Sequence, residues 1–171
     1  MSTDWERYGI APQRSALPEP TGPTPSQTVG PYYEIGMSWM GAEGEQLVPP
    51  DSPGAIRLGG RVLDGNGDPV PDAVLELWHP EVGWGRSLVD ATGTYRFSVA
   101  TVPYYALDVF ARGTLQRLAT RVYLPPADDG DELLAGLEPD RRATLVAVEA
   151  DGGLRHDIRL QGEGETVFLV W

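Results

Sequence analysis

Two histidines, His79 and His156, are the side chains of this sequence best suited to acid–base or metal chemistry. His156 shares a face with Ile158 in an alternating stretch, which predicts a core histidine whose ring nitrogens are satisfied. His79 follows Trp78 at the end of an apolar segment, where a loop histidine is expected. A metal centre needs several converging ligands, and the sequence contains neither His-x-His nor His-Glu-x-x-His. We therefore predict no metal ligands in this chain.

The residues Asp64, Asp68 and Asp72 raise the alternative of a calcium-binding loop. The Asp-Gly-Asn-Gly-Asp spacing matches the first half of such a loop, but Leu75 occupies the twelfth position, where a glutamate is required. Nucleophilic serine chemistry lacks a setting as well, because the sequence contains no Gly-x-Ser-x-Gly. Cysteine chemistry is excluded because the chain has no cysteine. We predict no catalytic residue here.

Arg112 is the one side chain whose position suggests that it binds a ligand. It precedes Gly113 at the end of a predicted strand, where side chains reach the rim of a sheet and loops carry function. The chain has 13 Lys+Arg against 25 Asp+Glu, a net charge of −12, so any bound carboxylate needs a local cation. A surface ion pair between Arg112 and one of the 25 acidic residues is an equally good explanation at this point.

The composition narrows the choice of partners and location. A net charge of −12 disfavours binding to nucleic-acid phosphates. No uninterrupted apolar run approaches the roughly 20 residues of a membrane-spanning helix. The amino end carries Asp4, Glu6 and Arg7 and has no apolar core of a secretory signal. With no cysteine present, the expectation is a cytoplasmic protein that binds neither nucleic acid nor membrane.

Residues 57–78 form the segment around which the other elements are expected to be arranged. Apolar residues lead into and out of Asp64-Gly65-Asn66-Gly67-Asp68-Pro69, whose residue types tolerate the positive φ of a chain reversal. The strand after this turn is apolar on both faces, which predicts that both faces are buried, including the ring of Trp78. The pattern indicates a β-turn-β unit.

Alternation of apolar residues predicts most of the remaining strands. Tyr95, Phe97 and Val99 share one face, as a half-buried strand requires. Further strands are expected at 34–39, 104–111, 115–124, 145–148, 154–160 and 166–171, a loop at 81–93, and one helix at 128–142. About eight short strands with one minor helix indicate an all-β fold, an antiparallel β-sandwich. We assign the sandwich to residues 24–171 and an extended amino-terminal arm to residues 1–23.

Four segments together match a known family. They are Thr-Pro-Ser-Gln-Thr-Val-Gly-Pro-Tyr-Tyr-Glu-Ile-Gly at 24–36, the turn with its flanking strands at 60–78, Phe-Ala-Arg-Gly at 110–113, and Asp-Ile-Arg-Leu-Gln-Gly-Glu-Gly-Glu-Thr-Val-Phe at 157–168. In these segments the sequence resembles the alpha subunits of protocatechuate 3,4-dioxygenases, in the intradiol ring-cleavage dioxygenase family. The opening and closing segments are the specific ones, since many β-sandwiches carry the central turn.

The resemblance implies a partner that holds the metal. In this family a homologous beta subunit binds Fe(III) through two tyrosines and two histidines, and the histidines are spaced His-x-His on one strand. The matching positions here are Tyr104 and Ala106, and alanine cannot ligate. The segment 81–93 contains no tyrosine, and only residues 100–103 lie where the family has an insertion that supplies the second one. The resemblance thus implies iron on the partner, none on this chain, and a higher oligomer of alpha–beta heterodimers.

The resemblance also implies an activity and a set of substrate contacts. Such enzymes open the ring of a small aromatic substrate, 3,4-dihydroxybenzoate, with O2 to give 3-carboxy-cis,cis-muconate in the beta-ketoadipate pathway of aromatic catabolism. The alpha subunit completes the substrate cleft, and by itself it is expected to be inactive. The family's substrate-binding positions match Thr28, Gly30, Pro31, Tyr32 and Arg112.

A second interpretation comes from another class of protein. Non-enzymatic binding modules of the transthyretin-like or carboxypeptidase-regulatory-like type share the Gly-x-Val-x-Asp-x-x-Gly-x-Pro-Val turn and need no metal. Such modules have no reason to carry the segments at 24–36 and 161–166, and these segments distinguish the two interpretations.

Overall fold

Two β-sheets face each other and form the body of the protein. The computed structural model describes residues 22–23, 25–127 and 130–170 of the chain. The strands in this part of the chain are β1 Ile56–Leu63, β2 Val74–His79, β3 Gly83–Leu88, β4 Thr94–Val99, β5 Tyr104–Phe110, β6 Leu118–Tyr123, β7 Val148–Ala150, β8 Gly153–Arg155 and β9 Ile158–Arg159. The helices are α1 Tyr32–Met37, a 3₁₀ helix Ser38–Glu45, α2 Glu132–Ala135 and α3 Pro139–Ala143.

The first sheet has the order β4-β1-β8-β7, with β9 also paired to β1, and the second sheet has the order β3-β2-β5-β6. The strand pairings in the described residues are antiparallel except for two, because β8 and β9 run parallel to β1. The predicted all-β sandwich is therefore confirmed, with one mixed sheet. None of the helices in the described ranges is long and apolar enough to cross a membrane.

The core lies between the two sheets and is built by the alternation seen in the sequence. Inward-facing side chains of β1, β2, β4 and β5 are almost fully buried. They include Leu58, Val62, Leu75, Leu77, Tyr95, Phe97, Val99, Tyr105, Leu107 and Val109. A second, smaller hydrophobic cluster contains Tyr123, Leu134, Leu145 and Val167.

The central turn has the predicted geometry but connects different sheets. The side-chain Oδ1 of Asp64 accepts hydrogen bonds of 2.9 Å from the backbone N–H groups of Asn66 and Asp68, which closes the reversal. The chain then pairs briefly with β1 through the Val70 N–H and the Val62 carbonyl, 2.9 Å apart. It next crosses to the second sheet, so β1 and β2 belong to different layers of the sandwich and are not neighbours in one sheet.

Three sequence predictions are wrong. Residues 34–39, predicted as a strand, belong to α1 and the 3₁₀ helix. Residues 81–93, predicted as a loop, contain β3, which pairs with β2 along its whole length. The Trp78 ring, predicted to be buried, is half exposed on the outer face of the second sheet.

The carboxyl-terminal third also departs from the prediction in detail. Instead of the one helix predicted at 128–142, the described residues 130–142 begin two short helices, α2 and α3. Pro139 is the first residue of α3, where its missing N–H costs nothing. Residues 166–170 form no regular strand, although Leu169 makes a bridge to Ala119. The predicted arm at 1–23 lies almost entirely outside the described residues.

Candidate functional site

The register between β2 and β5 places Arg112 opposite Asp72 at the rim of the second sheet. Val74 pairs with Phe110, and two residues further out on each strand the register brings Asp72 and Arg112 together. The Arg112 Nε lies 3.1 and 2.8 Å from the two carboxylate oxygens of Asp72, and its Nη2 lies 2.5 Å from Oδ2. The surface ion pair that the sequence left open is therefore present.

The pair is asymmetric in its exposure. The Arg112 side chain is 58% exposed, whereas that of Asp72 is only 10% exposed. Hydrogen bonds from Arg112 to the Asp72 carboxylate raise the pKa of the guanidinium, so Arg112 stays charged at any physiological pH. Its Nη1 group has no hydrogen-bond partner in the described part of the chain, and this leaves two N–H donors for an incoming acceptor.

The amino-terminal segment meets this rim through Thr28. Its Oγ1 accepts a 2.8 Å hydrogen bond from the Gly113 N–H and a 3.3 Å bond from the Gly30 N–H. Gly113 has φ +87°, a conformation that glycine adopts without the strain of a side chain. Three of the predicted substrate-binding residues, Thr28, Gly30 and Arg112, are thus brought to one end of the sandwich.

Pro31 and Tyr32 lie at the start of α1, beside this rim. The Tyr32 side chain is 78% exposed and Pro31 is also exposed. The neighbouring Tyr33, which the sequence prediction did not include, anchors the segment. Its ring centroid lies 4.8 Å from that of Phe110, and its hydroxyl donates a 3.4 Å hydrogen bond to Glu76. Burial and the nearby Glu76 carboxylate raise the pKa of Tyr33, so its hydroxyl remains a donor.

A cavity of about 470 Å³ opens beside Arg112. It is lined by the central turn, the loop after β5 and the end of the family segment at 157–168, that is by Asp64, Pro69, Val70, Pro71, Arg112, Gly113, Thr114, Leu160 and Gln161. The lining combines apolar walls with one cation, Arg112, and one carboxylate, Asp64, so a small aromatic carboxylate would pack its ring against the apolar walls and place its charge beside Arg112.

Two curated relatives decide the family of the chain. It is 34% identical to the protocatechuate 3,4-dioxygenase alpha chain of Pseudomonas putida, over 90% of this chain and 96% of that one. It is also 34% identical to the alpha chain of the same name from Burkholderia cepacia, over 85% of this chain and 96% of that one. No family model matches the sequence. The chain belongs to the protocatechuate 3,4-dioxygenase alpha chain family.

A solved structure supports the fold of this alpha-chain family member. The dioxygenase domain of a dioxygenase carbohydrate-binding protein fusion from Streptomyces sp. SirexAA-E superposes with a TM-score of 0.50. It shares 18% identity and covers 67% of this chain and 84% of that chain. The Pseudomonas putida alignment runs over 198 positions, more than the 171 residues present here, so it includes gaps in this chain. Such gaps accord with the short loops noted in the sequence.

The two positions that match the histidine ligands of the family are Tyr104 and Ala106, and the structure shows what surrounds each of them. Tyr104 lies under the Arg121 guanidinium, 4.3 Å from its ring centroid, and its ring centroid lies 5.3 Å from that of Tyr123. Ala106, the other matching position, has no donor atom in its side chain and pairs with Trp78 across the strands. No group of three or more His, Asp or Glu side chains able to hold a metal ion occurs in residues 22–23, 25–127 and 130–170. Tyr104 and Ala106 therefore do not supply the pair of histidines that the resemblance associates with an iron site.

Of the two histidines, one lies in the core as the sequence predicted, and the other, expected in a loop, is part of a strand. His156 is 3% exposed, with its Nε2 3.0 Å from the Thr144 carbonyl and its Nδ1 3.3 Å from the Tyr95 hydroxyl. The prediction of a satisfied core histidine is confirmed. His79 ends β2, and its Nδ1 accepts a 3.2 Å hydrogen bond from the Glu81 N–H in the turn that follows.

Sequence reasoning missed Asp72, the residue that positions Arg112. A signal was present, because antiparallel pairing of the apolar runs that became β2 and β5 brings these two residues together once the register is known. Register is set by packing between strands and is not readable from either strand alone. The missed Tyr33 could have been found from its place in the Tyr-Tyr pair, since one ring of such a pair on a short helix faces the sheet.

Proposed function

We propose that this chain is the alpha subunit of a heteromeric protocatechuate 3,4-dioxygenase and that it completes the substrate cleft of an iron-bearing beta subunit. The enzyme would open 3,4-dihydroxybenzoate with O2 to give 3-carboxy-cis,cis-muconate. Alone, the chain would be inactive. The membership of the alpha-chain family, over nearly the full length of both chains, supports this assignment.

The observation that carries the proposal is the meeting of two family segments at one rim. The hydrogen bond from the Gly113 N–H to Thr28 Oγ1 joins the opening segment to the Phe-Ala-Arg-Gly segment, 85 residues apart. Arg112 lies beside this junction with free Nη1 donors and a cavity of about 470 Å³ next to it. In this arrangement Arg112 would attract and orient the ring carboxylate, and Thr28, Gly30, Pro31 and Tyr32 would form the adjoining wall.

The metal would come from the partner subunit. When bound there, Fe(III) supplies Lewis-acid activation and a template for the catechol oxygens. The contribution of this chain is limited to its own groups: Arg112 supplies a positive charge for the carboxylate, and the wall residues exclude water from the ring. The ion pair of Arg112 with Asp72 would hold the guanidinium in place before the substrate arrives.

Exposed apolar side chains support the existence of a partner. Tyr32, Ile35 and Trp39 project from α1 and the 3₁₀ helix, and Trp39 is 77% exposed. On the second sheet, Trp78 of β2 and Trp84 of β3 form a cross-strand pair, and both side chains are also substantially exposed. A group of large apolar side chains at the surface is typical of an interaction site. A homologous beta subunit and a higher oligomer of heterodimers, located in the cytoplasm, complete the proposal.

The alternative of a non-enzymatic transthyretin-like binding module is not favoured. Its turn motif is present at Gly60–Val70, but the alpha-chain relatives match the chain far beyond that motif. No observation in the described residues favours a binding module over an enzyme subunit.

Co-expression with the beta subunit tests the proposal directly. A tagged chain should co-purify with the beta subunit, the assembly should contain iron, and it should consume O2 with 3,4-dihydroxybenzoate. The tagged chain made alone should hold no stoichiometric iron and consume no O2. Iron at one equivalent in the isolated chain, or full activity of the beta subunit alone, would contradict the proposal.

Substitution of Arg112 tests the site. In the assembled enzyme Arg112→Gln should raise KM for 3,4-dihydroxybenzoate about tenfold or more, because a hydrogen-bonded charge is lost, while the iron content stays constant. Arg155→Gln is the matched control, since Arg155 also pairs with an aspartate, Asp157, but on the other sheet. An unchanged KM in Arg112→Gln would remove this residue from the substrate site.

A further inference from the structure

Four of the arginines lie around a single glycine on the outer face of the first sheet. Arg57 and Arg61 flank Gly59 along β1, two residues before and after it, so their side chains point to the same face. Gly59 pairs with Arg96 on β4 and with Arg155 on β8. Neighbouring strands lie about 4.8 Å apart, so each of these arginines starts within roughly 7 Å of Gly59. We call Arg57, Arg61, Arg96 and Arg155 the arginine face.

Two members of the arginine face have no carboxylate partner within the described ranges. Arg57 donates through Nη2 to the Asp151 backbone carbonyl at 2.9 Å. Arg61 donates through Nε and Nη2 to the Thr92 backbone carbonyl at 3.1 and 3.0 Å. Each guanidinium has five N–H donors, so most of the donors of both remain available. In a chain with 25 acidic and 13 basic residues, two arginines without an acidic partner are unexpected on a surface.

The other two members are paired, but both stay accessible. The Arg96 Nε lies 3.3 Å from Glu45, and its side chain is 65% exposed. Arg155 forms an ion pair with Asp157 and is also more than half exposed. Exposed ion pairs of this kind contribute little to stability, so an anion can compete for these guanidinium groups.

The sheet leaves room above Gly59 for a ligand. A cavity of about 340 Å³ is lined by all four arginines together with Gly59, Gly60, Gly153 and neighbouring residues of β4, β7 and β8. One acidic residue, Asp151, also lines it, so the four guanidinium groups outnumber the carboxylate. An adjoining cavity of about 370 Å³ shares Arg57 and Arg96 and extends toward Glu45 and Gln46. Glycine at the centre supplies a floor without a side chain, and this lets a ligand approach the backbone between the guanidinium groups.

We propose that the arginine face binds a compact polyanion, a small molecule that carries more than one negative charge on carboxylate or phosphate groups, at a site on the opposite sheet from Arg112. Guanidinium groups recognise both kinds of group through paired N–H donors. The four arginines surround one point instead of forming a stripe, which favours a compact ligand over an extended chain. The net charge of −12 also opposes a nucleic acid, whose charge is distributed over its length.

Calorimetric titration of the full chain, with any subunits that co-purify, tests this proposal. The probes are inorganic phosphate, citrate as a tricarboxylate, and acetate as a single carboxylate. We expect saturable binding of citrate or phosphate with a Kd below about 1 mM, much weaker binding of acetate, and loss of affinity as salt rises. The stronger of the two probes identifies carboxylate or phosphate as the preferred group.

The variants separate the arginine face from other anion sites. Arg57→Gln with Arg61→Gln should weaken binding about tenfold or more, since both lose charged donors. Arg117→Gln, an exposed arginine paired with Asp108 on the second sheet, should leave the affinity unchanged. The single variants serve if the double variant does not fold.

Three results would overturn the proposal. The first is no saturable binding of either polyanion up to about 10 mM, where even a very weak site fills. The second is equal affinity in the wild type and in the Arg57 and Arg61 variants. The third is binding of an acidic peptide or a nucleic acid, but not of citrate or phosphate. None of these readouts involves ring cleavage, so they stand or fall independently of the proposed dioxygenase function.

Discussion

The guanidinium of Arg112 is clamped by Asp72, a residue 40 positions earlier in the chain, through Nε and Nη2 at 2.5 to 3.1 Å. Asp72 is largely buried and has φ +63°, a left-handed conformation that aspartate tolerates better than most residues. The carboxylate therefore does two things at once. It fixes the direction of Arg112, and it cancels part of the positive charge that a bound carboxylate would experience.

Asp72→Asn should separate these two effects. Asparagine tolerates the same backbone conformation and keeps one acceptor oxygen, but it removes the negative charge. In the assembled enzyme we expect KM for 3,4-dihydroxybenzoate to fall roughly two- to fivefold, because the charge of Arg112 is no longer partly cancelled by a neighbouring carboxylate. Steady-state O2 uptake measures this. Asp108→Asn, which frees Arg117 instead, is the control, and a raised KM in Asp72→Asn would show that orientation matters more than charge.

Neighbouring positions on β2 should respond very differently to truncation. Leu77 is fully buried between the sheets, and Leu77→Ala should lower the free energy of unfolding by about 2–5 kcal/mol. Trp78 is half exposed, so Trp78→Ala should lower it by less than about 1.5 kcal/mol, since only part of the ring leaves a packed environment. Denaturant unfolding of both variants measures this, and a larger loss for Trp78→Ala would mean that a partner covers the ring.

The sandwich was predictable because its strands alternate apolar and polar residues. Tyr95, Phe97 and Val99 recur every second residue, which is the period of a β-strand, and all three are buried as expected. β3 escaped prediction because Gly83 and Gly85, which usually mark loops, lie inside it. Gly85 is required there, since a Cβ at this position would come within 2.9 Å of the Gly44 carbonyl oxygen. The glycine in this strand is therefore explained by the close approach of Gly44, which lies far away in the sequence.

The helix α1 escaped prediction for a related reason. Its apolar residues do not form one buried stripe, and none of its residues is fully buried. Without a buried face there is no helical period to detect. The family segments predicted Thr28, Gly30 and Arg112 as site residues, and these three lie together at one end of the sandwich, while their contact with substrate stays a prediction. That Arg112 is paired with Asp72 follows from the register of β2 on β5, which only the packed structure fixes.

The close approach of β1 and the segment before β9 makes Gly60 intolerant of any side chain. A Cβ at Gly60 would lie 1.9 Å from the His156 carbonyl oxygen and 3.1 Å from the Tyr95 ring. Gly60→Ala should therefore push the segments apart and break the hydrogen bond of 2.8 Å from the His156 N–H to the Gly59 carbonyl. We expect a loss of at least about 3 kcal/mol of unfolding free energy, at the high end for single substitutions.

Gly36→Ala is the matched control for this substitution. Nothing lies within 4 Å of a Cβ at Gly36, which is in α1, and alanine has the higher helix propensity. The control should be neutral or slightly stabilising. Equal unfolding midpoints for Gly60→Ala and the wild type would contradict the strand geometry.

The buried His156 should make the protein less stable in mild acid. Burial lowers the pKa of His156 from its usual value near 6.5, although the hydrogen bond to the Thr144 carbonyl and the nearby Asp157 act in the opposite direction. Below about pH 6.5 the unfolded chain takes up a proton that the folded chain accepts only at lower pH. The stabilisation is therefore complete above pH 6.5 and is lost as the pH falls toward the pKa of the folded state.

Urea unfolding at several pH values between about 7.5 and 5 measures this effect. The free energy of unfolding should fall by up to about 1.4 kcal/mol per pH unit from this residue alone. His156→Gln should be less stable throughout but should have a flatter pH dependence in this window, because glutamine does not titrate. A wild-type slope in His156→Gln would assign the acid sensitivity to other groups.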